Sequence, residues 1–165
     1  MRSLRSDTGG GKMGEPGVST EYAPGRITAP IVTAGKGEVQ MPAHAKVLVV
    51  EDDLANQRTL CALLRLMCCT TTVADGGKDA LRLLDTPIEL DIILSDVVMP
   101  GMSGIDFARL ARLARPRMPI VLVTGDAHAV DAVIASGSVA LLKPYTAETL
   151  ERVLNETLAN GSRQT

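Results

Sequence analysis

The chain has 165 residues, 45% of them hydrophobic, and a formal net charge of −2, which fits one ordinary soluble domain with chain to spare and excludes a disordered or charge-driven nucleic-acid-binding protein. Aromatic residues are nearly absent (Tyr22, Phe107 and Tyr145, with no Trp), so a core must be built from Val, Ile, Leu, Ala and Met. No apolar run approaches the roughly 20 residues that span a bilayer, and the opening MRSLRSDTGGG has no apolar stretch behind its arginines to make a secretory signal; a cytoplasmic protein with no membrane partner is expected.

Residues 1–45 hold eight of the fifteen glycines and four of the nine prolines and show no sustained periodicity, as a flexible arm or linker would. The piece Ile27–Thr33 has some β character, but Pro30 interrupts it. Gly9–Lys12 invites a phosphate-loop reading. That motif needs Ser or Thr after the lysine and a strand before the first glycine, and Met13 and a polar start supply neither.

From Lys46 the pattern alternates regularly. Lys46–Val50 is a continuous apolar strand, and Leu54–Met67 a helix with Asp53 as its N-cap. Cys61, Cys68 and Cys69 fall in and just after this helix; an odd count with two adjacent members suits reduced thiols. Thr70–Ala74 is a short β-branched strand, expected at an edge, and Gly77–Leu84 a short helix. The strand Asp91–Ser95 precedes a loop at Met99–Met102 and a helix over Ser103–Ala114. Phe107, Leu110, Ala111 and Ala114 predict that helix's buried stripe, with Arg109, Arg112 and Arg115 on a solvated face. Pro119–Val123 is the fourth strand, Ala127–Ala135 a helix, Val139–Leu142 the fifth strand. The last helix, Thr146–Leu158, buries Leu150, Val153, Leu154 and Leu158 and is expected to stop at Asn160–Gly161.

Five wholly apolar strands alternating with five helices predict an α/β fold, a doubly wound parallel sheet with helices on both faces. Residues 46–159 would form this domain and 160–165 a tail, too short for a DNA-binding output module.

In such a sheet, ligands bind beyond the carboxyl ends of the strands. The first strand is followed there by Glu51-Asp52-Asp53, the third by Asp96, the fourth by Thr124 and the fifth by Lys143. The second ends in Ala74-Asp75 and promises no chemistry. Asp53 reads better as a cap than as a ligand. Asp52, Asp96 or Lys143 alone would each pass as a cap, a turn residue or a surface lysine; together they make a constellation. His44 and His128 are lone histidines without an assigned role.

The stretches KVLVVEDD, DIILSDVVMPGMSG, PIVLVTGDA and ALLKPY, in this order and spacing, resemble the receiver domains of response regulators and hybrid histidine kinases over residues 46–159. The resemblance implies a CheY-like, flavodoxin-type (βα)5 sheet of order 2-1-3-4-5, which sets the first and third strands side by side at about 4.8 Å. It implies phosphorylation of Asp96 by a sensor histidine kinase or histidine phosphotransfer protein. It also implies a magnesium ion held by Asp52, Asp96 and the Val98 carbonyl, with Glu51 acting through water. Lys143 and Thr124 would take phosphoryl oxygens, and the Lys143–Pro144 bond would be cis. Ala140 departs from the family, many of whose members carry Tyr or Phe three residues before the lysine, so an aromatic switch is missing. Gly125 leaves the site open, and the aspartyl phosphate is expected to be labile. An adaptor that signals by binding alone is the alternative. A phosphohydrolase of the haloacid type would need an acid where Val98 stands.

Overall fold

The computed structural model describes residues 44–162. The arm expected over residues 1–45, all but His44 and Ala45, and the last three residues lie outside the described residues. The elements are β1 (Lys46–Val50), α1 (Leu54–Leu66), β2 (Thr70–Ala74), α2 (Gly77–Leu84), β3 (Ile92–Asp96), α3 (Gly104–Ala114), β4 (Ile120–Thr124), α4 (Val130–Ala135), β5 (Val139–Leu142) and α5 (Ala147–Ser162), with a 3-10 turn over Ala127–Ala129 before α4. All five strands pair in parallel in the order β2-β1-β3-β4-β5. This is the predicted α/β sheet, with the edge position of β2 as expected.

The sheet is apolar on both sides because each strand alternates between two cores. Val47 and Val49 of β1, Ile92 and Leu94 of β3 and Val121 and Val123 of β4 meet Leu60 and Leu64 of α1 and Leu150 and Leu154 of α5. On the other side Leu48, Val50, Ile93, Ile120 and Leu122 meet Ala80 and Leu84 of α2, Phe107, Ala108 and Ala111 of α3, and Val133 of α4. Burying such a side chain contributes about 1.5–3 kcal/mol. Two buried faces explain why the strands are apolar runs rather than alternating ones.

Local chemistry sets the helix ends. Asp53 caps α1, its Oδ1 accepting from the Ala55 and Asn56 amides at 2.9 and 2.8 Å. At the far end Cys68 adopts a left-handed φ of 59° and donates to Arg65 O, while Cys69 donates to Leu64 O. That pair of bonds is a Schellman closure, with cysteine where glycine is usual. Met67 is therefore the cap and not the last helical residue.

Five expectations are corrected. Asp96 and Thr124 are the last residues of β3 and β4 rather than the first beyond them, because the ladder continues: Val97 N donates to Val123 O at 2.9 Å and Lys143 N to Thr124 O at 2.7 Å. The α3 stripe is Gly104, Phe107, Ala108 and Ala111, while Leu110 is 42% exposed and Ala114 faces outward. Arg112 and Arg115 are half-buried rather than fully solvated. Arg112 donates to the Ser136 and Gly137 carbonyls, and Arg115 to those of Leu84, Thr86 and Ile88. The segment expected as one helix over Ala127–Ala135 opens as a 3-10 turn, closed by Ala129 N on Asp126 O at 3.1 Å. Finally, α5 runs past Asn160–Gly161 to Ser162. Gly161 lies against Pro119, where an added Cβ would come within 3.0 Å of the ring, so a close approach and not a helix stop explains this glycine.

Candidate functional site at the carboxyl rim of the sheet

Parallel pairing brings the carboxyl ends of β1, β3, β4 and β5 to one rim. The register pairs Val50 with Ser95, Asp96 with Val123 and Thr124 with Leu142. Glu51 thus runs level with Asp96, while Asp52 lies one residue further out and Lys143 two.

Asp96 is held by one oxygen. Its Oδ1 accepts from the Val97 amide at 3.0 Å and from Lys143 Nζ at 3.3 Å, and no described residue bonds to Oδ2. The side chain is 12% exposed and that of Lys143 35%, so the pair opens to solvent only at the rim. The Lys143–Pro144 bond is cis, as expected. Behind Asp96 the backbone is tightly packed. Gly104 donates its amide to Val97 O at 2.9 Å, and a Cβ there would lie 2.1 Å from Asp96 O. Only glycine fits.

The acid loop between β1 and α1 is a closed hydrogen-bond system. Glu51 N donates to Ala74 O at 3.2 Å, Glu51 Oε1 accepts from Asp53 N at 3.1 Å, and Asp53 caps the helix. The exposed carboxylate of Asp52 alone has no hydrogen bond among the described residues. Glu51 is buried, and burial pushes its carboxyl up from the ordinary value; the Asp53 amide opposes this, Asp96 adds to it, Lys143 opposes it and Asp52 adds to it.

On the other flank Thr124 is fully buried. Its hydroxyl accepts from Asp126 N at 3.0 Å and lies 3.4 Å from Asp126 O, so it is turned to its own loop and not to Asp96. The Asp126 side chain accepts from His128 N at 2.9 Å. Val98 projects its side chain into solvent at 72% exposure, and no described hydrogen bond uses its carbonyl. Ala140 packs against the α2–α4 core, with no aromatic ring in its place.

Sequence reasoning missed a groove of about 460 Å³ between α1 and the loop that joins β5 to α5. It is lined by Asn56, Thr59, Leu60 and Leu63 on one side and Lys143 and Tyr145 on the other, with Glu51 and Asp96 at its head. Tyr145 is half-buried there; burial, then Glu51 and Asp96, raise its phenol. Its place two residues after Lys143 was the available signal. Asp75, which promised nothing, accepts from Gln57 at 3.1 Å.

The donor chemistry fits a hard divalent cation. Asp52, Asp96, Glu51 and the Val98 carbonyl all offer oxygen donors, and Lys143 is the cation that bonds to one of them. Among the described residues no three acidic, His or Cys side chains gather closely enough to hold a metal between them. An ion here would complete its shell with backbone, water and phosphate oxygens, the habit of magnesium.

Comparison with known proteins agrees with this geometry. Residues 47–155 match the response regulator receiver domain. The chain is 32% identical over 117 residues to the chemotaxis protein CheY of Pseudomonas aeruginosa, covering 67% of this chain and 94% of that one. It is 34% identical over 108 residues to the DNA-binding response regulator MtrA of Mycobacterium tuberculosis, covering 64% of this chain and 46% of the relative. The chain thus spans less than half of MtrA, and 19% of the transcription factor SKN7 of Chaetomium thermophilum, to which it is 27% identical. Among solved structures it is similar to the chemotaxis protein CheY4 of Vibrio cholerae (TM-score 0.64, 29% identity, 70% of this chain and 99% of that one). It is also similar to the receiver domain of the sensor histidine kinase PA1611 of Pseudomonas aeruginosa, a structure with magnesium in its active-site cleft (TM-score 0.65, 27% identity, 71% and 99%). With its strand order, its acid–lysine rim and these matches in agreement, the chain belongs to the response regulator receiver domain family of two-component signalling.

Proposed function

We propose that the chain accepts a phosphoryl group on Asp96 from the phosphohistidine of a sensor histidine kinase or a histidine phosphotransfer protein, in a magnesium-dependent step, and catalyses its own dephosphorylation. The observation that carries this reading is the Lys143 ammonium 3.3 Å from Asp96 Oδ1, with Oδ2 free on the same carboxylate.

Oδ2 attacks phosphorus while the bond from phosphorus to the imidazole nitrogen breaks, leaving an acyl phosphate on Asp96 and a neutral imidazole on the donor. Lys143 releases Oδ1 and takes a phosphoryl oxygen. Thr124 turns its hydroxyl from Asp126 to a second one. Asp52, Asp96 and the Val98 carbonyl, with Glu51 acting through water, would hold magnesium, which when bound would supply positive charge to the transferring phosphoryl group. For hydrolysis, water attacks phosphorus in line with the Asp96 oxygen. Gly125 has no side chain to block it, and an added Cβ at this position would meet nothing within 4 Å. The phosphorylated form is accordingly short-lived; a half-life of many hours in magnesium buffer would contradict this. The absence of a long apolar helix among the described residues is consistent with a cytoplasmic site of action.

Acetyl phosphate with magnesium, followed by phosphate-affinity electrophoresis of wild type and Asp96→Asn, tests the reading. A shifted band that needs Asp96 supports it. No band selects an adaptor that acts by binding alone, and multiple-turnover hydrolysis of assorted phosphate esters selects a hydrolase.

A further inference from the structure

The acid loop has an uneven distribution of partners. Glu51 and Asp53 are bonded through side chain and backbone, whereas the Asp52 carboxylate between them is unbonded. Nothing in the Asp52 side chain's own contacts sets its direction, so that direction must come from the peptides on either side.

The Glu51 carboxylate holds the second of these peptides through the Asp53 amide, and the Gln57 side chain holds the first. Gln57, in the first turn of α1, donates its backbone amide to Asp53 O at 2.9 Å and its side-chain Nε2 to Glu51 O at 3.1 Å. The same Nε2 donates its second N–H to Asp75 Oδ1, also at 3.1 Å. Both acceptors are oxygens without a proton to give, so only the nitrogen end of the amide satisfies them. Glu51 is therefore tied to the end of β2 twice, by its own amide on Ala74 O and by its carbonyl through Gln57 to Asp75.

We infer that Gln57 is a positioning residue for the divalent-cation site: by holding the Glu51 carbonyl with its side chain it fixes the peptide that precedes Asp52, and with it Glu51, whose own carboxylate holds the peptide that follows, and so aims the Asp52 carboxylate across the rim toward Asp96. The inference rests on the proposed magnesium site and adds a residue to its support. Electrostatics explain the need for such a clamp. Glu51, Asp52, Asp53 and Asp75 crowd one end of the sheet and repel, and without a clamp the loop would relax by turning Asp52 outward. A neutral amide ties the loop without placing a competing cation beside the metal, which a lysine or arginine at 57 would do. A ligand's supporting partners typically carry 10–100-fold in metal affinity.

The test is magnesium affinity, measured without a phosphoryl donor by calorimetry or by amide shifts of residues 51–53, alongside thermal unfolding in chelator. Gln57→Leu should weaken magnesium binding about tenfold while the unfolding midpoint in chelator moves little. Asp75→Ala, an exposed position outside α1, should give a smaller loss in the same direction and remains informative where Gln57→Leu folds poorly. Wild-type affinity in both variants, or a lowered midpoint with unchanged affinity, overturns the inference. Asp52→Asn separates the two levels. If wild type binds magnesium no better than Asp52→Asn, the site itself is wrong; if Asp52→Asn loses binding and the Gln57 and Asp75 variants do not, only the clamp is wrong.

Discussion

The two flanks of Asp96 are built differently. On the β1 side, the loop Glu51–Asp53 is bonded to β2, to α1 and to itself, and a single carboxylate is left over. On the β4 side, Gly125–His128 are all exposed, the chain makes one 3-10 turn, and α4 is six residues long with Val133 as its buried anchor. Thr124, whose hydroxyl the proposed chemistry requires, is turned away toward Asp126. Under the proposed function, the side that would hold the cation is preformed, and the side that would meet the phosphoryl group has still to rearrange. Few buried contacts and short helical segments are what permit local motion, and under the proposed function this segment would carry the signal, with Ala140 in place of an aromatic ring.

The largest expected effect comes from striking both flanks at once. Gly104→Ala would drive a methyl into the Asp96 carbonyl, which lies 2.1 Å from the position its Cβ would take. Urea unfolding should show a loss of about 3 kcal/mol or more, at or beyond the upper range of overpacking, and magnesium binding and phosphorylation should fall together. Loss of neither would mean that the backbone behind Asp96 yields more easily than its packing implies.

Asp53→Ala strikes the ordered flank alone. Removing the cap should cost about 1 kcal/mol, and because the cap orders the first turn that carries Gln57, magnesium affinity should drop with it. Thr124→Val strikes the loose flank. It should cost about 1 kcal/mol or less, leave magnesium affinity at the wild-type value and slow phosphorylation by acetyl phosphate. If Thr124→Val weakened magnesium binding as much as Asp53→Ala, the division between the flanks would be false.

The smallest effect is electrostatic. Burial raises the Glu51 carboxyl above its ordinary 4.5, so the folded chain holds that proton more tightly than the unfolded chain does. Its ionisation then opposes folding once pH passes the ordinary value, and the penalty is complete above the raised one. In magnesium-free buffer Glu51→Gln should match wild type near pH 4 and be the more stable protein at pH 7; thermal melts at the two pH values check the sign.

Much of this was legible in the chain itself. Apolar or β-branched runs of four or five residues separated by helical segments marked every strand, and the Asp53 cap was read from its place before an apolar period. What misled was spacing without neighbours. Arg112 and Arg115 fall on the outward side of α3 by periodicity, yet both reach loop carbonyls, because an arginine side chain is long enough to leave its own helix face. Gly161 looked like a helix stop and is instead a contact with Pro119. Gln57 gave no signal, since nothing in a linear pattern reveals that its amide bridges residues from two strands.

The order of strong local preferences determined the sheet, its parallel pairing and the identity of the acid, hydroxyl and lysine at the strand ends. Those follow from hydrophobic period and turn chemistry, which act over a few residues. Only the tertiary structure decided that Lys143 rests on Asp96, that Thr124 is turned aside, that a groove runs beside Tyr145 and that Gln57 grips the acid loop. Such contacts join residues brought together by folding, and their geometry depends on side-chain reach and competing partners that no local pattern encodes.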